Sequence, residues 1–198
     1  SLTMMDALFP CMDKGTEYFR RYKVLPAMLQ TSYLGTDDPG FLSKPSCDGV
    51  WRMVTCSFIV PLKRLDLLVR GIATMAEKRP KQAFQWCHFG DGPMRSEVEK
   101  MSTTLLPSNV ERIFRGFVSL EKIMAHYKHS PVDVFMNVSS YEGQPVSIKE
   151  AISCGIPVVA TDVGGNSEIV TSKNGILLNA NPPAREIADA LLHMLDHP

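Results

Sequence analysis

The stretch that decides the fold covers residues 139–170 and has the sequence SSYEGQPVSIKEAISCGIPVVATDVGGNSEIV. Its first part predicts a loop containing Gly143 and Pro145, followed by a helix over residues 147–154. Its second part, residues 156–160, is short and wholly apolar, which predicts a buried strand. A helix followed directly by a buried strand is typical of a parallel α/β sheet.

The same alternation extends outward from this stretch, from residue 51 to the end of the chain. The predicted strands cover residues 51–60, 83–89, 110–115, 132–138, 156–160 and 175–179. The predicted helices cover residues 63–78, 94–103, 147–154, 164–170 and 184–195, with a further helix after its N-cap at Ser119. We therefore expect an α/β fold with a doubly wound, Rossmann-like parallel sheet. Ligands of such sheets bind at the carboxyl ends of the strands, so the loops after the first four strands are the expected site.

The first 48 residues depart from this pattern. Residues 16–22 predict a helix and residues 28–34 predict a strand, which together make one β/α unit without a partner. Residues 36–48 contain Pro39, Gly40 and Pro45 and predict a linker.

The composition excludes several classes of protein. Of 198 residues, 44% are hydrophobic and 21% are charged, as in soluble globular proteins. The 21 basic residues equal the 21 acidic ones, which disfavours nucleic acid as the main partner and disfavours a polybasic membrane anchor. No apolar run is long enough for a transmembrane helix. We expect membrane association that is at most peripheral.

Cysteines and histidines predict neither a disulfide framework nor a metal site. The cysteines are odd in number and form no CxxC pair, being Cys11, Cys47, Cys56, Cys87 and Cys154. We therefore expect free thiols in a reducing compartment, the cytoplasm. The five histidines form no cluster of ligands in the sequence, so no metal site is expected.

Two glutamates stand at the end of the sheet where a ligand is expected. Glu142 lies in the loop after the fourth predicted strand, and Glu150 follows eight residues later, within about two turns of the helix start. The free N–H groups of that helix start can bind a diphosphate while a carboxylate accepts ribose hydroxyls. Taken alone, the pair has a plainer interpretation, with Glu142 on the surface and Glu150 stabilising the helix dipole.

The context of this pair resembles a family. Glu142-x7-Glu150, followed by Ala-x-x-x-Gly-x-Pro-Val-Val-Ala-Thr-x-x-Gly-Gly-x-x-Glu, is similar to the C-terminal domain signature of retaining GT-B glycosyltransferases of family four. Further family-like segments stand in order at residues 60–68, 89–93, 114–118 and 132–135. The resemblance implies transfer of a hexose-like unit from a nucleoside-diphosphate sugar to a hydroxyl acceptor with retention, as in cytoplasmic polysaccharide biosynthesis.

The resemblance also implies a role for individual residues. Glu150 corresponds to the glutamate that binds the nucleotide ribose, and Glu142 to the one that contacts the donor sugar. Lys63 corresponds to the lysine that binds the diphosphate. Gly143 and Gln144 stand where backbone amides approach the phosphate or the sugar. We take Glu142 and Lys63 as the catalytic residues, because charge grows on the diphosphate as the glycosidic bond breaks.

The resemblance also implies that the nucleobase packs against the turn from Arg115 to Val118, where Gly116, Phe117 and Val118 are the expected donor-binding residues. The chain departs from the family just after its first strand, where many relatives have Gly-Arg-Leu and this chain has Ser-Phe-Ile at residues 57–59. A phenylalanine at position 58 cannot neutralise a phosphate. Arg64, directly after Lys63, is the candidate to compensate and is included among the donor-binding residues.

The resemblance implies a division of the chain as well. Residues 1–35 correspond to the tail of an N-terminal acceptor domain, residues 36–48 to a hinge, and residues 49–198 to the nucleotide-sugar-binding domain. A carbohydrate or lipid-linked acceptor would then bind through the absent N-terminal domain, and the chain alone would be inactive. Because no DxD-type motif ends a strand, we expect no cofactor and a reaction independent of metal ions.

Two alternatives stay open at this point. One is a GT-B nucleotide-sugar epimerase, which would use the same nucleotide site with acid and base residues from the absent half. The other is a non-catalytic nucleotide-sugar-binding module. The intact Glu142, Glu150 and Lys63 favour an enzyme, whereas Phe58 favours loss of activity.

Overall fold

A computed structural model describes residues 5–197, so residues 1–4 of the predicted tail and residue 198 of the predicted domain lie outside it. The strands are β1 (Val50–Cys56), β2 (Ala83–Phe89), β3 (Val110–Phe114), β4 (Val134–Asn137), β5 (Val158–Thr161) and β6 (Gly175–Leu178). The helices are α1 (Asp13–Arg21), α2 (Leu65–Glu77), α3 (Arg95–Leu105), α4 (Leu120–His129), α5 (Val146–Ser153), α6 (Asn166–Ile169) and α7 (Ala184–Asp196). Short 3-10 turns occupy Pro26–Met28 and Pro61–Lys63.

The six strands form one parallel sheet with the order β3-β2-β1-β4-β5-β6. The first half of the chain builds the sheet outward from β1 in one direction, and the second half builds it outward from β4 in the other. β1 and β4 pair at the centre, where Met53 lies opposite Val134 and Val54 opposite Phe135. This topology confirms the predicted doubly wound, Rossmann-like α/β fold.

Successive side chains of each strand point to opposite faces of the sheet, so they belong to two separate hydrophobic cores. Met53 of β1 belongs to the core under α2, α3 and α7, whereas its neighbour Val54 belongs to the core under α4 and α5. The central strands β4 and β5 are buried at every position. Burial on both faces explains why these two strands appear in the sequence as unbroken apolar runs.

Two of the predicted strands differ from the structure. The first was expected to reach residue 60, but β1 ends at Cys56, because its partner strand β2 ends at Phe89, opposite Cys56. Beyond the strand, Ile59 N–H donates to Asp91 O (2.9 Å) and holds the chain against the loop after β2. The strand predicted at 28–34 is wrong. That segment holds one isolated bridge, Leu8 to Leu29, and the ladder cannot continue past Pro10, which has no N–H to donate.

Helix α1 is anchored to the sheet domain through its first turn. The Glu168 carboxylate accepts hydrogen bonds from the backbone N–H groups of Asp13 (2.9 Å) and Lys14 (3.0 Å). The Lys14 ammonium also donates to Ser167 Oγ at 2.9 Å. A carboxylate satisfies the free N–H groups of a helix start and stabilises its dipole. The leading segment is therefore fixed beside α6, whereas its assignment to another domain stays a prediction.

Replacing Glu168 with alanine should loosen this anchor. A hydrogen bond to a charged group stabilises by about 1.5–3 kcal/mol, so we expect amide hydrogen exchange at the start of α1 to accelerate at least about tenfold. Glu17→Ala is the matched control, because Glu17 lies on the same helix and forms only an exposed pair with Arg20. Equal protection of the α1 amides in both variants would contradict the anchor.

Candidate functional site

The loops after β1, β2 and β3 are locked together by their backbones at the carboxyl edge of the sheet. Gly90 N–H donates to Gly116 O (2.8 Å), and Ile59 N–H donates to Asp91 O (2.9 Å). Gly90 has a φ of 137°, and a side chain there would overlap the carbonyl oxygen of Ser57. Only glycine allows this approach, so the rim of the site is held by backbone contacts.

An ion pair bridges the centre of the edge. Lys63 follows β1 and Glu142 follows β4, and the distance from Lys63 Nζ to Glu142 Oε1 is 2.6 Å. The pair is partly withdrawn from solvent, with side-chain exposures of 20% and 9%. It lies where the chain leaves adjacent strands in opposite directions, the position at which doubly wound sheets bind ligands. The two residues predicted to be catalytic are therefore in direct contact.

Glu142 is held by two further donors that the sequence analysis missed. Asn137 Nδ2 (2.9 Å) and Ser139 Oγ (2.6 Å) both donate to Oε1, the same oxygen that Lys63 contacts. Within residues 5–197, the other carboxylate oxygen accepts no hydrogen bond, which leaves it available to a ligand hydroxyl. The signal in the sequence was a polar pair closing an otherwise apolar strand.

Glu150 presents a carboxylate without a protein partner. It lies on α5 and is 9% exposed, and its side chain makes no hydrogen bond among the described residues. Burial raises its pKa above the ordinary value of 4.5. Burial of an unpaired carboxylate is unfavourable, so this group is set up to receive hydrogen bonds from a ligand.

Cys56, at the end of β1, lies within electrostatic reach of both charged groups. The pKa of its thiol is raised to about 11, chiefly by burial and also by the Glu150 charge, against the opposing effect of the Lys63 ammonium. The three side chains therefore share one small region beside the ion pair.

Arg64 has a structural role that the sequence did not reveal. It adopts a left-handed conformation (φ 48°), which is strained for a residue other than glycine. Its guanidinium donates to Val138 O (2.6 Å), Ser139 O (2.7 Å) and Ala180 O (2.9 Å), with a fourth bond to Asn181 Oδ1 at 3.1 Å. Four of its five N–H groups therefore hold the loops after β4 and β6, and its predicted contact with the donor stays a prediction.

The loop at Gly143 and Gln144 is held from two sides. Gly143 O accepts a hydrogen bond from Gly165 N–H (2.8 Å), and Gln144 Oε1 accepts one from Lys149 Nζ (2.9 Å). Gly164 has a positive φ of 52°, and a side chain there would overlap the carbonyl of the loop. The two consecutive glycines are therefore required by backbone packing.

An open apolar pocket of about 150 Å³ lies beside this cluster, between the loops after β1 and β3. Its wall is formed by Cys56, Ser57, Phe58, Phe89, Gly90, Phe117, Val118 and Ile123. Phe58 and Phe117 are 63% and 77% exposed, so both rings stand at the rim. The turn predicted to meet the nucleobase, Gly116 to Val118, lines this pocket through its last two residues.

Two features are absent from residues 5–197, a metal-binding group of side chains and a membrane-spanning helix. No group of three or more His, Cys, Asp or Glu side chains there is placed to hold a metal ion. None of the helices there has both the length and the apolar character needed to cross a membrane. The expected independence of metal ions stays a prediction.

Comparison with known proteins identifies relatives of this chain. The family model described as glycosyl transferases group 1 matches residues 52–197. The poly(ribitol-phosphate) alpha-N-acetylglucosaminyltransferase of Staphylococcus aureus is 30% identical over 146 residues, which are 71% of this chain and 27% of that enzyme. The chain spans between 21% and 37% of the length of the curated relatives it matches.

Solved structures of glycosyltransferases share the fold. The lipopolysaccharide outer core galactosyltransferase WaaB superposes with a TM-score of 0.83 at 20% identity, over 98% of this chain and 54% of that one. Anabaena HepE in complex with UDP superposes with a TM-score of 0.78 at 22% identity, over 96% and 54%. The sheet, the locked loops and the match over residues 52–197 agree, and the chain belongs to the glycosyl transferases group 1 family.

Proposed function

We propose that this chain holds a nucleoside-diphosphate sugar and that the complete protein transfers the sugar to a hydroxyl acceptor with retained anomeric configuration. The observation that carries the proposal is the set of groups that meet at the carboxyl edge. Cys56 lines the apolar pocket and lies within electrostatic reach of Glu150 and Lys63, and Lys63 contacts Glu142, whose second oxygen accepts no hydrogen bond within residues 5–197. These groups suit the parts of a nucleotide sugar, with the pocket for the base, Glu150 for the ribose, Lys63 for the diphosphate and Glu142 for the sugar.

The diphosphate is the part on which the chemistry depends. Its negative charge grows as the glycosidic bond breaks, so a fixed cation beside the leaving oxygen lowers the barrier. Lys63 is that cation, and the first N–H groups of α5, which begins at Val146, add a second source of positive potential. Lys63 is already held in place by Glu142 before the donor arrives, which favours rapid reaction once it binds.

The two glutamates divide the remaining recognition. Glu142 would use its free oxygen to accept a hydroxyl of the donor sugar, because its other oxygen is fully engaged. Glu150 would accept the ribose hydroxyls, which would supply the hydrogen bonds that its carboxylate lacks. Gly143 and Gln144 border the position between them and would offer backbone amides.

The relatives give more support to a nucleotide-sugar donor than to any one kind of acceptor. HepE was crystallised with UDP, and a streptococcal relative is named for transfer from UDP-N-acetylglucosamine to peptide. Other names give phosphatidylinositol and poly(ribitol-phosphate) as acceptors. Such different acceptors suit a donor half shared across the family, so we infer a carbohydrate or lipid-linked acceptor bound outside residues 49–198. Retention rests on the resemblance of the Glu-x7-Glu signature.

Titration of the chain with UDP, GDP and ADP by calorimetry tests the proposal directly. One diphosphate should bind in preference to the others, because the donor site lies almost wholly within residues 49–198. Absence of binding for all three at millimolar concentration would refute a preformed site. In the complete protein, the anomer of the product, observed by proton NMR, tests retention.

Glu150→Gln should weaken nucleotide binding and stabilise the fold. Loss of the charged acceptor should reduce affinity by about 1–3 kcal/mol. The folded chain holds the Glu150 proton more tightly than the unfolded chain does, since burial raises this pKa. The carboxylate therefore destabilises the fold increasingly as pH rises from 4.5 through the raised pKa, and glutamine removes this effect.

Melting curves between pH 4 and pH 8, together with calorimetry, check both parts of the Glu150 prediction. The variant should melt above wild type at neutral pH, and the difference should disappear toward pH 4. Glu121→Gln, on the exposed face of α4, is the control and should alter neither quantity. A variant that loses stability at neutral pH would contradict the assignment of an unpaired carboxylate.

Lys63→Met and Glu142→Gln should separate binding of the diphosphate from binding of the sugar. Lys63→Met should nearly abolish nucleoside-diphosphate binding, because it removes the central cation. Glu142→Gln should preserve or tighten that binding, because it frees the Lys63 ammonium, yet it should remove any gain in affinity of the nucleotide sugar over the diphosphate. Calorimetry with UDP and UDP-N-acetylglucosamine measures both effects, and the reverse pattern would show that the two roles are exchanged.

A further inference from the structure

We propose that Phe58 binds the donor by stacking its ring on one face of the nucleobase, at the rim of the apolar pocket and opposite the turn at Gly116 to Val118. The proposal rests on the proposed function, since it assigns a new contact within the same site. Because a phenylalanine cannot neutralise a phosphate, a contact with the diphosphate is not expected at position 58. The residue at this position would then act on the base end of the donor.

The first support is that Phe58 is exposed and fixed at the same time. Its side chain is 63% exposed, although contact with water is unfavourable for an aromatic ring. Its backbone is pinned on both sides, by Ser57 N–H to Phe89 O (3.0 Å) and by Ile59 N–H to Asp91 O (2.9 Å). An exposed ring whose backbone is fixed at a pocket rim is placed to be covered by a ligand.

The second support is the shape and polarity of the pocket. Phe58 and Phe117 both line it, and among the described residues neither ring stacks on another aromatic ring. The floor is apolar and includes Phe89 and Ile123. Such walls match the flat faces of a nucleobase and offer nothing to a phosphate. Stacking of a base on an aromatic side chain strengthens binding on the order of tenfold.

The third support is that, in the described part of the chain, backbone groups without hydrogen bonds lie beside the apolar walls of the pocket. In the described part of the chain, the backbone N–H and C=O groups of Phe117 and Val118 form no hydrogen bond with other protein groups. These groups can meet the polar edge of a base while the ring of Phe58 covers its face. Neither Lys63, which pairs with Glu142, nor Arg64, which donates to backbone carbonyls, lines this pocket.

Matched pairs of ligands, with and without the diphosphate, test the proposal. UDP, GDP and ADP are titrated directly, and uridine, guanosine and adenosine are titrated in competition with the diphosphate that binds best. The variants are Phe58→Ala, Phe58→Tyr and the control Leu42→Ala, whose side chain is 72% exposed outside the pocket. The melting temperature of each variant is measured in parallel.

Phe58→Ala should weaken binding of the nucleoside and binding of its diphosphate by the same factor, on the order of tenfold or more. Phe58→Tyr should retain both affinities, and Leu42→Ala should change neither. A loss confined to the diphosphate, unchanged affinity in Phe58→Ala, or a nucleoside that does not compete with wild type would each overturn the stacking role. Failure of wild type to bind any diphosphate would instead overturn the proposed function, so the two failures are distinguishable.

Discussion

The site depends on the parallel pairing of β1 with β4 at the centre of the sheet. From these adjacent strands the chain leaves in opposite directions, toward β2 on one side and β5 on the other. Connections between parallel strands are right-handed, so the two loops diverge and a crevice opens between them. Lys63 and Glu142, 79 residues apart in the chain, meet in that crevice at 2.6 Å. The central pairing thus creates both the position of the site and its ion pair.

Backbone contacts, more than side-chain packing, give the rim its rigidity. Gly90 and Gly164 occupy points where any side chain would overlap a neighbouring carbonyl, so the loops approach more closely than other residues permit. Arg64 adds hydrogen bonds to two carbonyls of the loop after β4 and accepts a strained conformation in order to do so. A site held in this way keeps its geometry without ligand, which reduces the entropy lost when the donor binds.

The two glutamates of the site differ in how well the protein stabilises their negative charges. Glu142 has three donors on one oxygen and is therefore well stabilised. Glu150 is as deeply placed but has no hydrogen-bond donor among residues 5–197, so its ionised form weakens the fold until a ligand supplies hydrogen bonds. Such a group illustrates the general conflict between stability and function in binding sites. The rings of Phe58 and Phe117 show the same conflict, because their exposure to water is unfavourable in the absence of a ligand.

The sequence by itself determined the fold and the identity of the central charged residues. Short apolar runs and apolar residues that repeat with the period of a helix are local properties, so the alternation of strands and helices followed from them. Glu142, Glu150 and Lys63 were predicted from the resemblance of their segments to a family signature. The tertiary structure alone decided how these side chains are partnered, because Lys63 and Glu142 lie 79 residues apart in the chain.

The same reason explains the remaining differences. The left-handed conformation of Arg64 turns its guanidinium toward the backbone, and no local pattern encodes that direction. The segment predicted as a strand at residues 28–34 lacked a partner ladder, because a proline interrupts its neighbour. Phe58 resembles a core residue in the sequence, yet the turn fixed against the loop after β2 places its ring in solvent. Pairing, direction and exposure depend on contacts between segments far apart in sequence, which only the folded chain brings together.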